Sequence, residues 1–312
     1  MSSKSILVIG KNGQLGQSIQ KLVVQDSTLH IQHFFTFVGR DELDLSSSES
    51  IGDYFLDKTF DVIINCAAYT AVDKAENEPE LADQINHLAV KQLSQIAKIQ
   101  NAFMVHVSTD YVFDGQGFRP YVETDEVGPQ GVYGSTKLKG ERAMQAIAPA
   151  GCILRTSWVY SEFGNNFVKT MLRLGEERDS LNVIFDQVGS PTYAGDLARA
   201  ILCVITTKAK QSIDSTTKLD CDIAAAPRNG CTVKIYHYSN EGVCSWYDFA
   251  KAIFELSNTE CIVSPIETKD YPTPAKRPHY SFMNKAKIKA DFELQIPYWR
   301  YSLMACLAEL KN

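Results

Sequence analysis

Short apolar runs alternate with amphipathic stretches through the first half of the chain. Five runs are rich in Val, Ile, Leu and Phe, as is typical of strands that are buried on both faces of a sheet. These runs lie at 6–9, 34–38, 62–64, 104–107 and 152–154. Between them, apolar residues recur at helical spacing, most clearly from Leu15 to Val23 and from Leu81 to Ala97. This order predicts an α/β fold, a doubly wound parallel sheet with helices on both faces.

The second half of the chain has a different pattern. Two helical stretches and one strand-sized run follow at 165–174, 194–204 and 181–185. Residues 208–229 are polar and are predicted to be a surface excursion, and the segment 271–280 is rich in Pro and Tyr. We therefore predict a first domain over residues 1–160 and a smaller second domain over residues 161–312, from which some segments cross back to the first sheet.

Composition and charge narrow the class of protein. The chain has 312 residues, with 31 Lys and Arg against 37 Asp and Glu, and the net charge of −6 argues against a nucleic-acid binder. No stretch approaches the roughly 18 consecutive apolar residues of a membrane span, and the first residues lack a secretory signal pattern. The 8 cysteines show no Cys-x-x-Cys spacing, which disfavours a zinc site. We expect a cytoplasmic protein with neither a membrane nor a nucleic acid as partner.

A glycine-rich segment follows the first predicted strand. It reads Gly10-Lys-Asn-Gly13-Gln-Leu-Gly16 and leads directly into the first amphipathic stretch. Glycines at this place allow a tight turn and let the backbone approach a pyrophosphate, which the N–H groups of a helix N-terminus favour. The glycine pattern alone is weak, since such a turn can arise by chance. Its position between a strand and a helix predicts dinucleotide binding.

A tyrosine and a lysine are spaced to share one helix face. Residues four apart lie together on a helix, so the ammonium of Lys137 is expected beside the phenol of Tyr133. A neighbouring cation stabilises phenolate, so Lys137 is expected to lower the pKa of Tyr133 from its ordinary value of about 10. In isolation such a pair is common on protein surfaces and indicates nothing.

The end of the fourth predicted strand supplies the third signal. Ser108 and Thr109 follow an apolar run, and the carboxyl ends of parallel strands line the ligand crevice of a doubly wound sheet. A hydroxyl there can contact a substrate carbonyl oxygen while Tyr133 protonates it. A glycine loop, a hydroxyl at a strand end and Tyr-x-x-x-Lys, in that order, resemble the short-chain dehydrogenase/reductase arrangement.

Seven longer motifs run through the chain. They read NCAAYTAVDKAE at 65–76, STDYVFDG at 108–115, VYGSTKLKGE at 132–141, RTSWVY at 155–160, NNFVKTML at 165–172, DQVGSPT at 186–192 and YPTPAKRP at 271–278. Together they resemble the dTDP-4-dehydrorhamnose reductase family from residue 6 to the end, apart from 208–229. The resemblance implies reduction of the C4 ketone of dTDP-4-dehydro-L-rhamnose to dTDP-L-rhamnose. It also implies a Rossmann domain for the cofactor and a C-terminal domain for the nucleotide sugar.

The resemblance assigns roles to individual residues. Tyr133 would donate the proton, Lys137 would tune its pKa and bind the cofactor ribose, and the Thr109 hydroxyl would contact the substrate oxygen. Candidate cofactor ligands at the pyrophosphate, the adenine and the nicotinamide are Gly10, Lys11, Asn12, Gly13, Gln14, Leu15, Gly16, Asp44, Leu45, Ala67, Ala68 and Tyr69.

Four further residues are candidate substrate ligands. Asp110 and Trp158 align with family positions that contact the sugar nucleotide, and Asn166 and Arg277 are candidates for its pyrophosphate. Two simpler interpretations stay open: Trp158 belongs to the core, and Asn166 caps the helix that begins beside it.

Two departures from the family pattern concern the cofactor and a metal. An NAD-selective site carries an acid at the end of the second strand, whereas here Gly39 leaves room and Arg40 brings positive charge. NADPH is therefore expected over NADH, although the next two residues are acidic. Some family members are metal-linked dimers through surface glutamates. The aligned positions here are Ser18 and Gly195, so no metal is expected, and a homodimer stays open.

Three rival functions share this fold. A sugar-nucleotide dehydratase typically has Asp-Glu after the threonine, whereas here Asp110 is followed by Tyr111. An epimerase of the same branch is not excluded by these residues. A non-catalytic regulatory subunit, like the β subunit of methionine adenosyltransferase, is disfavoured by the complete set of Thr109, Tyr133 and Lys137.

Overall fold

A six-stranded sheet organises the molecule, which a computed structural model describes for residues 3–26, 33–211 and 233–311. The strands of this sheet are β1 (Lys4–Ile9), β2 (His33–Val38), β3 (Val62–Asn65), β4 (Phe103–Thr109), β5 (Gly151–Thr156) and β10 (Lys234–His237). They are all parallel and lie in the order β2-β1-β3-β4-β5-β10. From β1 the chain first adds β2 on one side and then adds β3 and the later strands on the other side. The ligand crevice is therefore expected outside the carboxyl ends of β1 and β3, where this change of side occurs.

Helices cover both faces of the sheet. The helices are α1 (Gln14–Gln25), α2 (Ser48–Tyr54), α3 (Val72–Ala75), α4 (Pro79–Asp83), α5 (Ala89–Gln100), α6 (Val132–Ile147), α7 (Phe167–Glu177), α8 (Ala194–Gln211), α9 (Trp246–Ser257), α10 (Ala286–Phe292) and α11 (Trp299–Leu310). Ile6 and Val8 of β1 pack in one core with α1, α8 and α10, whereas Leu7 and Ile9 pack in another with α2 and α5. This alternation explains why β1 is apolar from Ile6 to Ile9, and the predicted doubly wound α/β fold is confirmed.

The second half of the chain builds a separate core. Six short strands accompany it: β6 (Val159–Tyr160), β7 (Ser180–Ile184), β8 (Val188–Gly189), β9 (Thr192–Tyr193), β11 (Cys244–Ser245) and β12 (Ile262–Ile266). Phe249, Ile253 and Leu303 are among its buried side chains, and α7, α9 and α11 supply much of its apolar surface. Three later elements return to the first sheet, since α8 packs against α1, β10 pairs with β5, and α10 adds Ile288 and Phe292 to the core of that sheet. The predicted boundary at residue 160 stays a prediction.

Two predicted elements differ in detail. The helix predicted over 194–204 continues to Gln211, so the first four residues of the 208–229 segment are helical; the rest of that segment lies outside the described residues. The stripe from Leu81 to Ala97 is not one regular helix, because a π-helical turn at Gln84–Leu88 separates α4 from α5. No helix in the described ranges is both long and apolar enough to cross a membrane.

A buried ion pair fastens α6 to the sheet. Arg155 of β5 donates to Glu141 of α6 through Nε at 2.9 Å and Nη2 at 2.6 Å, and both side chains are at most 3% exposed. The guanidinium also lies 5.1 Å from the centre of the Phe113 ring. Removing one partner of such a pair leaves a buried charge without compensation.

We expect Glu141→Gln to lower the free energy of unfolding by about 3 kcal/mol, because Arg155 would stay buried without a counter-charge. Urea unfolding measures this change. Glu177→Gln is the matched control, since Glu177 pairs with Arg173 on an exposed helix surface and should change stability by less than about 0.5 kcal/mol. Equal effects of the two substitutions would contradict the prediction.

Candidate active site

The loop after β1 brings three backbone segments into contact. Gly10 has a φ of +93°, and a Cβ on it would lie 2.9 Å from the backbone nitrogen of Ala67. A Cβ on Gly16 would lie only 2.2 Å from the Gly10 oxygen. Gly13 is the N-cap of α1 and provides no side chain to its N–H groups. The loop therefore has the close packing and the uncapped helix start that suit a pyrophosphate.

The side chains of this segment have mostly structural contacts. Leu15 is buried in the sheet core, and the Gln14 side chain accepts hydrogen bonds from Ser161 and Asn166 at 3.0 Å each. The Asn12 carbonyl accepts a bond from Gln17 at 2.9 Å. We therefore expect Gln14 and Leu15 to contact a cofactor through their backbone atoms.

Charged side chains surround Gly39 at the end of β2. Glu42 accepts the Gly39 N–H at 2.8 Å and also pairs with Lys11. Arg40 is largely exposed and reaches back to Asp44, with Nε 3.3 Å from its carboxylate. Hydrogen bonds from Ser46 hold the pKa of Asp44 below its ordinary value, although burial opposes them. Two cations, Lys11 and Arg40, therefore flank the place where a cofactor ribose phosphate is expected. Leu45 is buried in the core that also contains Val38.

The end of β3 is held by amide side chains. Asn65 accepts the Ala67 N–H at 3.1 Å, which shapes the turn that leads through Ala68. Asn86 lies in the π-helical turn and bonds both backbone groups of Tyr69, at 2.9 and 3.1 Å. Asn86 thus holds the loop of Tyr69, which is predicted to approach the nicotinamide, from within an irregular helical turn.

The end of β4 brings the expected acid and hydroxyl together. Burial raises the pKa of Tyr133 to about 12, and a hydrogen bond with the Thr109 side chain opposes this rise. The edge of the Tyr111 ring packs against Tyr133, with centroids 5.4 Å apart. The Thr109 hydroxyl also donates to the Asp110 carboxylate at 2.9 Å. Tyr133 is therefore a neutral phenol next to a hydroxyl at the edge of the sheet where the ligand crevice is expected.

Lys137 does not lower the pKa of Tyr133 as the sequence predicted. Its Nζ donates to the carbonyl of Val107 at 2.7 Å and lies 3.4 Å from Nε2 of His106. Burial lowers its own pKa to about 8, against the charge of Glu141. The expectation was wrong because it neglected desolvation, which raises the pKa of the tyrosine and lowers that of the lysine.

Asp110 is an acid held almost out of solvent. Its side chain is 2% exposed, and burial raises its pKa from 3.8 to about 7 against hydrogen bonds from Thr109 and Ser281. A carboxyl with this pKa is partly protonated near neutral pH. It can therefore donate as well as accept a hydrogen bond.

Trp158 has an unusual backbone conformation. Its φ is +49°, in the left-handed region that bulky residues rarely adopt, and its ring stacks on Trp246 with centroids 3.6 Å apart. A Cβ on Gly189 would lie 3.1 Å from the Trp158 ring. The ring is partly buried at the edge of the second core, and such strain is concentrated at functional sites.

The two candidate pyrophosphate ligands are already engaged. Asn166 caps α7 by accepting the Lys169 N–H, and its amide nitrogen donates to Ser161, Phe163 and Gln14. This arrangement matches the simpler interpretation, in which Asn166 caps the helix. Both hydrogens of its amide group are already used in hydrogen bonds within the protein. Arg277 forms two bonds to the carboxylate of Asp73, at 3.0 and 2.7 Å. Asp73 therefore already occupies the carboxylate-binding side of the guanidinium.

Three polar residues of the site escaped the sequence prediction: Asn65, Asn86 and His106. All are fully buried and contact the candidate cofactor segments or Lys137. The available signal was a polar residue within or directly after an apolar run, as His106 between Val105 and Val107. In the described ranges, no cluster of three or more His, Cys, Asp and Glu side chains could hold a metal.

The family of the chain follows from comparison with known proteins. Residues 4–312 match the family described as RmlD substrate binding domain. The chain belongs to this family. The match covers both the parallel sheet and the second core, so all of the candidate site residues lie within it.

Several known proteins are similar to this member of the RmlD family in sequence or in structure. A dTDP-4-dehydrorhamnose reductase of Aggregatibacter actinomycetemcomitans is 41% identical, with 96% of each chain covered. The structure of a dTDP-4-dehydrorhamnose reductase from Clostridium acetobutylicum has a TM-score of 0.86 and 38% identity, and the match covers 99% of this chain and 100% of that one. The structure of the Bacillus anthracis enzyme in complex with NADP has a TM-score of 0.84 and 33% identity, covering 98% and 99%.

The wild-type protein is expected to lose stability as the pH rises from about 4 to about 7, and Asp110→Asn is expected to remove this loss. In this window the folded protein keeps a proton on Asp110 that the unfolded chain has lost, so the wild type becomes less stable as pH rises. The loss is at most about 4 kcal/mol. Urea unfolding across the window measures it, with Asp53→Asn on the exposed surface as control. If Asp110→Asn kept the wild-type pH dependence, the prediction would be contradicted.

Proposed function

We propose that the protein reduces the C4 ketone of dTDP-4-dehydro-L-rhamnose to dTDP-L-rhamnose and uses NADPH. The observation that carries this proposal is the meeting of Thr109 with a neutral Tyr133 at the carboxyl end of β4, close to a buried Lys137. The related reductases support this substrate, and the NADP complex of one of them supports this cofactor. They do not support the epimerase or regulatory-subunit alternatives.

The protonation state of Tyr133 suits the reducing direction. Reduction of a ketone leaves negative charge on its oxygen, which must receive a proton. A phenol with a pKa of about 12 is fully protonated at neutral pH, and it is still a much stronger acid than the alcohol being formed. The Thr109 hydroxyl lies beside the phenol and can orient the same oxygen. Burial of Tyr133 thus keeps the proton in place until the alkoxide forms.

The bound cofactor would supply the hydride. Its pyrophosphate would lie against the loop of Gly10, Gly13 and Gly16, because the close backbone packing there leaves an uncapped helix start. Lys11 and Arg40 would face the 2′-phosphate of NADPH. Glu42 competes for Lys11, so binding of that phosphate requires the Lys11–Glu42 pair to rearrange.

The substrate would occupy the side of the crevice formed by the second half of the chain. Trp158 offers an aromatic face there, and Asp110 lies beside Thr109 with a carboxyl that can donate or accept. Arg277 can serve the substrate pyrophosphate by exchanging Asp73 for phosphate, since both are anionic partners with a matching geometry. Asn166 would act indirectly, by holding the start of α7 against Gln14. A cytoplasmic location and a homodimer stay predictions.

Tyr133→Phe should lower turnover by about 10²–10⁴-fold, because it removes the phenol that is proposed to protonate the alkoxide. Oxidation of NADPH on addition of the keto sugar measures turnover, and cofactor affinity should change little. Tyr301→Phe is the control, since Tyr301 is 69% exposed on α11. Turnover near the wild-type rate would reject Tyr133 as the proton donor.

The choice of cofactor should depend on the charges around Gly39. Arg40→Ala should weaken NADPH more than NADH, because only NADPH carries the 2′-phosphate. Glu42→Gln should have the opposite effect on the ratio of the two kcat/KM values, since it frees Lys11 and removes a repelling carboxylate. If neither substitution changed this ratio, the 2′-phosphate would have to bind elsewhere.

A further inference from the structure

A buried histidine connects β3 to Lys137. His106 lies in the middle of β4 and is fully buried. Its Nδ1 is 3.2 Å from the amide nitrogen of Asn65, and its Nε2 is 3.4 Å from Nζ of Lys137. The steps described above make no use of this ring. Its two nitrogens nevertheless join a loop of the candidate cofactor site to the lysine that is expected to bind the cofactor ribose.

One backbone group determines the direction of these hydrogen bonds. The Ala67 N–H donates to Oδ1 of Asn65 at 3.1 Å. Turning the amide over would place its NH₂ group against this N–H, so the amide nitrogen must face His106. Because an amide nitrogen only donates, Nδ1 of His106 must accept. The single proton of a neutral imidazole is therefore on Nε2.

The proton on Nε2 points at the nitrogen of Lys137. An ammonium group offers only hydrogens, so it would oppose the ring N–H. A neutral amine has a lone pair that accepts this N–H, while one of its own hydrogens still bonds the Val107 carbonyl at 2.7 Å. The hydrogen-bond chain thus favours the amine form of Lys137. Burial acts in the same direction, since it lowers the pKa of Lys137 to about 8 and that of His106 below its ordinary value.

We propose that Asn65 and His106 are positioning residues that present a fixed N–H to Lys137 and so set the pH at which this lysine gains its proton. The inference deepens the proposed function and rests on it only for the role of Lys137 as a cofactor ligand. The other ionisable groups near Lys137 are Glu141, which pairs with Arg155 of β5, and Tyr133, one helical turn away. Substitution of Asn65 leaves all of these in place.

The state of His106 can be read by nitrogen-15 NMR of the full chain labelled at histidine. The chain has 6 histidines, and the His106 signals are assigned by their loss in His106→Gln. Near neutral pH the wild type should show a neutral ring with its proton on Nε2. A proton on Nδ1, or a doubly protonated ring, would overturn the proposal. This measurement on the wild-type protein does not depend on whether any variant folds.

Asn65→Asp should reverse the hydrogen-bond chain. A carboxylate accepts both the Ala67 N–H and a proton on Nδ1, so Nε2 would lose its proton and accept from the Lys137 ammonium. The titration of Lys137, followed by carbon-13 NMR and assigned with Lys137→Met, should then move up by about one pH unit. His33→Gln is the control, because it alters another buried histidine at the start of β2 and should leave this titration unchanged. An unmoved titration in folded Asn65→Asp, or an equal shift in the control, would overturn the proposal.

These readouts need no substrate. If the wild type fails to oxidise NADPH with the keto sugar, the proposed function fails while the NMR result still decides the role of Asn65 and His106. If the enzyme is active and the His106 proton is on Nδ1, the present inference alone fails.

Discussion

Burial of the central sheet on both faces is the constraint on which the site depends. A strand covered by helices on each side has no solvent for polar side chains, so these concentrate where the strand ends. All strands of the six-stranded sheet are parallel, and their carboxyl ends therefore meet at one edge. Asn65 ends β3 and Thr109 ends β4 at this edge. His106, in the middle of β4, is tolerated because both of its ring nitrogens find polar partners.

The same burial sets the charge of the groups that would carry out the reaction. Desolvation raises the pKa values of Tyr133 and Asp110 and lowers that of Lys137, so that each group moves toward its neutral form. A neutral phenol is the form that a reduction requires. Asp110 and Lys137 have pKa values of about 7 and about 8, so modest changes in their surroundings can change their charge near neutral pH. Electrostatic tuning in this site therefore comes from burial of the groups rather than from one ion pair.

The second half of the chain is attached to the cofactor side through specific polar contacts. Asn166 binds Gln14 of α1, and Arg277 binds Asp73 of α3. These contacts connect the rim of the crevice across sequence separations of 152 and 204 residues. If an anionic group of the substrate takes the place of Asp73, as proposed, Arg277 has an anionic partner in both states. The contact therefore closes the rim and is a candidate anion site.

The sequence by itself determined the fold class and predicted most of the candidate site residues, because both depend on local patterns. Uninterrupted apolar runs indicate strands buried on both faces, and a glycine loop between a strand and a helix indicates the pyrophosphate site. The sequence therefore predicted residues whose role depends on local spacing, such as Gly10 and Gly16, which lie against each other in the structure. The sequence also identified Tyr133 and Lys137 as neighbours on one helix.

Only the tertiary structure decided the electrostatics and the partners. The direction of the pKa shift of Tyr133 depends on desolvation by distant segments, and the partner of Lys137 is a carbonyl on β4 rather than the phenol. Asn86, which contacts Tyr69, lies in a π-helical turn that apolar periodicity does not reveal. The engagement of Arg277 with Asp73 joins residues that are far apart in the chain. Such contacts depend on how separate elements pack together, which the local spacing of residues does not encode.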